Sequence, residues 1–212
     1  MNVLFCRIAY MNYYNGVSGD TPHNGGSYIS ANKTGGEIYN FRPVTLFDES
    51  DNPTDEVCCF GYVQPSGNKI NLERICGCNK LDNSKKIDNV LVIFCATVEP
   101  YGMKIVGWYS LAEVFRKCQT LEFYDADSGL ESEDVYFFRA PISNCVLLPI
   151  KERESYSSKW SVPNATKDDI GFGRSNVWYA DTIEAQDYVQ KIVKQINEYD
   201  GENLIDEFLS ED

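Results

Sequence analysis

Four aromatic residues and a few amides carry the chemistry that can be read from this chain. Gly107-Trp108-Tyr109 ends one apolar run, and Asn176-Val177-Trp178-Tyr179 forms another. Alternation along a strand sends Trp108 and Tyr109 to opposite faces, and Trp178 and Tyr179 likewise. One of each pair belongs in a core, and the other is free to face a pocket. Two rings from different strands can sandwich a flat heterocycle, and such stacking is worth about 1–3 kcal/mol per ring. Asn176, Asn40 and Ser27 carry groups that hydrogen-bond a ring edge. Arg174 and Lys104 carry charges that meet a phosphate. The plain structural alternative stands beside each of these assignments, because strand aromatics mostly belong to cores.

Signatures of catalysis are weak by comparison. "GFGRSN" (171–176) holds two glycines of a dinucleotide-binding turn, but its third place is Asn176 and a strand follows where a helix is needed. No phosphate-binding loop and no nucleophile elbow occurs. His23 is the only histidine, and "DTPHNGG" around it reads as an exposed loop, a poor place for a Cys–His nucleophile. Zinc needs paired ligands at set spacing, and Cys76-Gly-Cys78 alone does not provide them. The reading is therefore of a protein that is not an enzyme and holds no metal and no cofactor. A weaker reading keeps Asp181 or Glu37 as a general base in the same pocket.

The elements that must position these residues are mostly strands. Apolar, β-branched runs predict strands at 2–10, 58–64, 69–75, 89–99, 103–110, 135–140, 144–150 and 175–180. "LAEVFRKC" (111–118) reads as one or two helical turns. The stretch 11–41 is rich in Gly, Asn, Ser and Tyr, which gives turns, and "GGSYISANKTGGEIYNF" (25–41) within it reads as a lid that lets backbone approach a ligand. Asp181-Thr-Ile-Glu184 reads as an N-cap with its partner three residues on. Tyr188, Val189, Ile192, Val193, Ile196 and Tyr199 then recur at helical spacing. Strands do not alternate with helices, which disfavours a parallel α/β fold. The fold expected is α+β: a small mixed β-barrel with peripheral helices and long Gly/Asn-rich loops. Residues 1–199 form the domain, and 200–212 an acidic tail or linker, in which the small apolar stripe of "ENLIDEFLSED" also allows a second short helix.

Composition sets the outer limits. The chain has 212 residues, 43% hydrophobic and 13% aromatic, enough for one sizeable core. No apolar run is long enough to span a membrane, and the N-terminus lacks the features of a signal peptide. Eight cysteines, five of them inside apolar runs, then read as reduced thiols of a cytoplasmic protein. Net charge is −13, which at face value opposes nucleic-acid binding. The acid is concentrated, however. Residues 182–212, 48–56 and 121–134 carry −7, −5 and −6, so the rest of the chain is net +5. Such runs ordinarily keep a protein soluble. They also leave open an acidic interaction or inhibitor protein that docks on a basic partner.

The blocks "CRIAYMNYYNG", "GGSYI", "GGEIYNF", "FGYVQP", "KIVGWYS" and "GFGRSNVWYAD", in that order, resemble the N-terminal module of bacterial HNH-type modification-dependent restriction endonucleases. That module is similar to the PUA-like superfamily, with its EVE and YTH readers. The resemblance covers most of residues 1–200 and implies a PUA-like barrel that reads a modified base, flipped from DNA, in an aromatic-lined pocket. It implies Trp108, Tyr109, Trp178 and Tyr179 as the cage and Ser27, Tyr28, Asn40 and Asn176 as edge readers. The partner implied is nucleic acid, modified DNA foremost, with a role in restriction and defence. No HNH motif is present, so the resemblance implies a nuclease fused elsewhere or acting separately. The acidic balance departs from what a DNA reader ordinarily shows.

Overall fold

Every residue from Val90 to Ala96 is apolar, and every one is buried. A strand apolar on both faces belongs in the middle of a covered sheet. The computed structural model, which describes residues 2–24, 35–50, 52–77, 84–125 and 130–209, puts this run in strand β4 (Lys86–Val98). Around it lie β1 (Asn2–Arg7), β2 (Pro43–Phe47), β3 (Pro53–Gly61), β5 (Gly102–Asp125), β6 (Leu130–Pro141), β7 (Cys145–Leu147) and β8 (Val177–Trp178). They form one mixed sheet in the order β2-β3-β6-β5-β4-β1-β8, with β7 added against β5. Among the described strands only β1 and β4 run parallel. The end strands β2 and β8 do not pair with each other, so the described sheet is not a closed barrel.

β5 is the spine. One edge pairs with β4. The other edge is shared along its length by residues 160–162, by β7 and by β6. The helical turns expected over 111–118 are strand instead. "LAEVFRK" has fair helix propensity, but pairing on both sides overrides it. Leu111, at φ 51°, forms the bulge that lets β5 keep both partners. The strand expected over 69–75 is also corrected. Residues Leu72–Cys76 are helix α1, begun by Asn71, whose side chain accepts from the Arg74 amide, and ended by Gly77 at φ 62°.

The sheet separates two cores. On the first face Leu4, Cys6, Val92, Phe94 and Tyr109 pack with Tyr14, Phe41 and Phe138. On the second, Val3, Phe5, Ile93 and Trp108 pack with Trp160, Phe172 and helix α3 (Gln186–Asn197), which buries Ile192 and Ile196. The late amphipathic helix is therefore where the periodicity puts it. Its N-cap is not: no side chain caps α3, and the Asp181 carboxylate is bound to Arg74 instead. Short helices α2 (Ile150–Arg153) and α4 (Ile205–Phe208) complete the fold. α4 belongs to the stretch read as an acidic tail. Leu204 and Ile205 are nevertheless buried, and Asn203 bonds the Leu147 amide and the Cys145 carbonyl.

Candidate functional site

The register decides the fate of the Trp-Tyr pairs. Val146, Trp108, Ile93, Phe5 and Trp178 are direct cross-strand neighbours on β7, β5, β4, β1 and β8. Both tryptophans thus share the second face, three strand spacings or about 14 Å apart. Helix α3 covers the row between them. Tyr188 stacks on Trp178 at 5.9 Å, and Tyr199 meets Trp108 edge-on at 5.4 Å. Phe5 and Phe172 enclose Trp178 further, and Trp160 encloses Trp108. Tyr109 lies on the opposite face with zero exposure, against Phe41 and Phe94. Tyr179 is on that face too. Its hydroxyl accepts from the Asn71 amide at 2.8 Å, and the Arg74 guanidinium sits 4.2 Å over its ring. These four rings do not line a common cavity, and each is occupied by the protein itself.

The polar candidates divide in the same way. Asn40 is buried, and its amide is tied to the Tyr62 backbone, donating to the carbonyl at 3.0 Å and accepting from the N–H at 2.7 Å. Lys104 is buried with its ammonium on the Ser157 carbonyl and the Ser161 hydroxyl. Burial lowers its pKa, and it is not placed to meet a phosphate. Arg174 is exposed. Ser27 and Tyr28 lie outside the described residues. Asp181 pairs with Arg74 through two 2.7 Å contacts. That hydrogen bonding holds its carboxyl below the ordinary range, the wrong direction for a general base. The Arg74–Tyr179–Asp181 cleft, about 300 Å³, is thus already satisfied internally.

Asn176 is different, and it leads to a second cleft. β1 and β4 run side by side as far as the Arg7–Cys95 pair. One residue on, Ile8 still bonds the Cys95 carbonyl, but the Ala9 amide turns away to the Glu37 carboxylate at 3.3 Å. The strands part there, at their C-terminal ends. A cleft of about 360 Å³ opens between Arg7, Ile8, Ala9, Asn24, Glu37, Thr97 and Asn176. Its volume is within the range of small-ligand sites.

Local sequence builds its inner wall. Gly171, at φ 124°, lies so close to Pro163 that a Cβ would stand 2.4 Å from the Pro163 carbonyl oxygen. This tight turn drives Phe172 into the second core, where it supports the Arg7 guanidinium at 5.6 Å. The Asn176 carbonyl accepts from the Arg7 amide at 2.7 Å. The Asn176 side-chain oxygen accepts from Arg7 Nε at 3.2 Å and Nη2 at 3.1 Å. Arg7 is half-buried, its pKa is lowered by desolvation, and among the described residues no carboxylate pairs with it. Among the described residues the guanidinium is held by neutral oxygens alone, which leaves its charge and its Nη1 donors available. Glu37 offers an acceptor in the same cleft.

Sequence reasoning missed Arg7, Asn24 and Thr97. The available signal was the charge of Arg7 at the end of "VLFC", where a buried strand must exit the sheet. The described parts of the acidic run, 121–125 and 130–134, fall where β5 ends and β6 begins, whereas the cleft lies where β4 ends and β5 begins. Compared with known proteins, the chain matches no family model, no curated protein and no solved structure.

Proposed function

We propose that this chain is a non-catalytic reader module that takes a single nucleobase into the Arg7–Glu37 cleft. The observation that carries the reading is the Arg7 guanidinium, fixed by Asn176 and paired with no acid among the described residues, in one cleft with the Glu37 carboxylate. A guanidinium donates to ring nitrogens and carbonyls of a base, and a carboxylate accepts from its amino group. Together they suit the edge of a base better than a bare phosphate, which Glu37 would repel. A base reaches such a cleft only when unstacked. The resemblance of the sequence blocks to PUA-like readers makes a modified base in DNA, within restriction or defence, the favoured occupant. The aromatic sandwich is not part of this reading. Discrimination rests on edge hydrogen bonds, with Arg174 outside for the backbone.

The test is a binding titration at low salt, where the electrostatic penalty of the acidic chain is greatest and must be controlled. The probes are a plain DNA duplex, the same duplex with one mismatch, and duplexes carrying single modified bases. Arg7 rests on Phe172, which contacts Trp178, so tryptophan fluorescence reports occupancy. Arg7→Met and Glu37→Gln are expected to weaken the preferred duplex by about tenfold or more, the worth of a hydrogen bond to a charged group. Equal binding of all duplexes, or Arg7→Met binding as tightly as the parent, overturns the proposal.

A further inference from the structure

Ile8, Ala9 and Asn24 line the cleft, so the chain leaves β1 at the cleft and returns to it, and residues 10–23 carry it between those two points. The middle of this stretch is bound from two sides by opposite charges. The Asn12, Tyr13 and Tyr14 amides donate to the Asp20 carboxylate at 2.7, 2.8 and 3.0 Å. The buried Arg153 guanidinium donates to the Met11 and Asn12 carbonyls at 2.8 and 2.7 Å. The Tyr14 hydroxyl links this segment back to the cleft by donating to the Ala9 carbonyl at 2.8 Å. A third support comes from far along the chain. The Tyr13 ring meets Phe208 edge-on, with centroids 6.3 Å apart. Phe208 is at the end of α4, which is anchored by Leu204 and Ile205 in the first core and by Asn203 and the Leu204 amide on β7.

We propose that residues 203–208 are a positioning segment for the cleft, setting the loop 11–14 through the contact of Phe208 with Tyr13. The stretch reads in sequence as an acidic tail or linker with a small apolar stripe, and those apolar residues connect β7 to the loop that leaves the cleft at Ala9. Coupling of this kind is reciprocal. Whatever displaces α4 loosens the loop that holds Ala9, and a ligand that tightens the loop holds α4 in place. This role rests on the cleft being a binding site, but its structural half is measurable with no ligand present.

The experiment is hydrogen exchange on the full chain, comparing the parent with Phe208→Ala and Phe208→Tyr. Phe208 is only partly buried and packs at the rim of the first core, so its truncation removes no fully buried residue. In Phe208→Ala the Tyr13 and Tyr14 amides are expected to exchange about two- to tenfold faster, the equivalent of one edge-to-face aromatic contact. The β1–β4 ladder is expected to exchange as in the parent, and Phe208→Tyr to restore protection. Unchanged exchange at Tyr13 and Tyr14 overturns the proposal, as does a uniform rise that includes the ladder. Faster loop exchange without binding of any duplex supports the coupling and discards the base reading, so the two failures are distinct. Where a duplex does bind, Phe208→Ala is expected to weaken it by a similar factor.

Discussion

Trp108→Ala separates a core residue from a ligand-stacking residue. Trp108 is 3% exposed and packs between Ile93 and Val146 in the sheet, with Trp160 and Tyr199 closing over it. Truncation removes from the core most of a side chain that buries about 150–250 Å², which at about 25 cal/mol per Å² is roughly 4–6 kcal/mol as an upper bound. Measured large-to-small substitutions at such sites cost about 3–5 kcal/mol. The expected loss is therefore about 4 kcal/mol, a large part of the roughly 5–15 kcal/mol available to a domain. Trp178 is only partly buried, so Trp178→Ala is expected to cost about half as much. The assay is urea unfolding followed by far-ultraviolet circular dichroism at constant m-value. A Trp108→Ala protein within about 1 kcal/mol of the parent that has lost oligonucleotide binding would refute the burial argument, because a core tryptophan cannot be removed at so small a cost.

Two further outcomes follow from charge and burial. Arg74 holds the Asp181 carboxyl below its ordinary range, so the folded state releases that proton more readily than the unfolded chain. Asp181→Asn is expected to lose less than about 1 kcal/mol, because the pair is partly exposed. The loss is present above the unfolded carboxylate range and vanishes as pH falls through the lowered value. Urea midpoints from pH 7 to pH 2.5 check the sign, and a gap that widens on acidification is the contrary result. Among the thiols, Cys6, Cys95 and Cys145 are buried and pushed upward by desolvation, and Cys58 is pushed up to about 11. Cys118 is exposed. Ellman's reagent at pH 8 is expected to label Cys118 in the native protein, and the five buried thiols Cys6, Cys58, Cys59, Cys95 and Cys145 only in urea. Rapid native labelling of Cys95 would count against the central strand.

Cys95, the helix and the strands of the sheet show how far local pattern reaches. β4 was legible because seven consecutive apolar residues, rich in Val and Ile and followed by Pro and Gly, favour a doubly covered strand. α3 was legible because its apolar residues keep one face over three turns. Both are properties of neighbours along the chain. The strand 111–118 was not legible, because its conformation is imposed by β4 and β6. The strand expected over 69–75 gave way to α1, for which Asn71 and Gly77 were overlooked signals.

The candidate site depended still more on distant partners. Alternation established that Trp108 and Tyr109, and Trp178 and Tyr179, part to opposite faces, and the sheet keeps that parity. Whether either face stayed open was decided by α3, Trp160 and Phe41, none of which adjoins those pairs in sequence. Asn176 was marked by its type beside a glycine turn, but its partner Arg7 lies 169 positions away. Local pattern along the chain specifies the central strand, the late helix and the residue types able to bind. The tertiary structure alone decided which of those groups were spent on the fold and which were left over. Hydrogen-bonding capacity belongs to a residue, whereas its satisfaction depends on whatever the folded chain brings within about 3 Å of it.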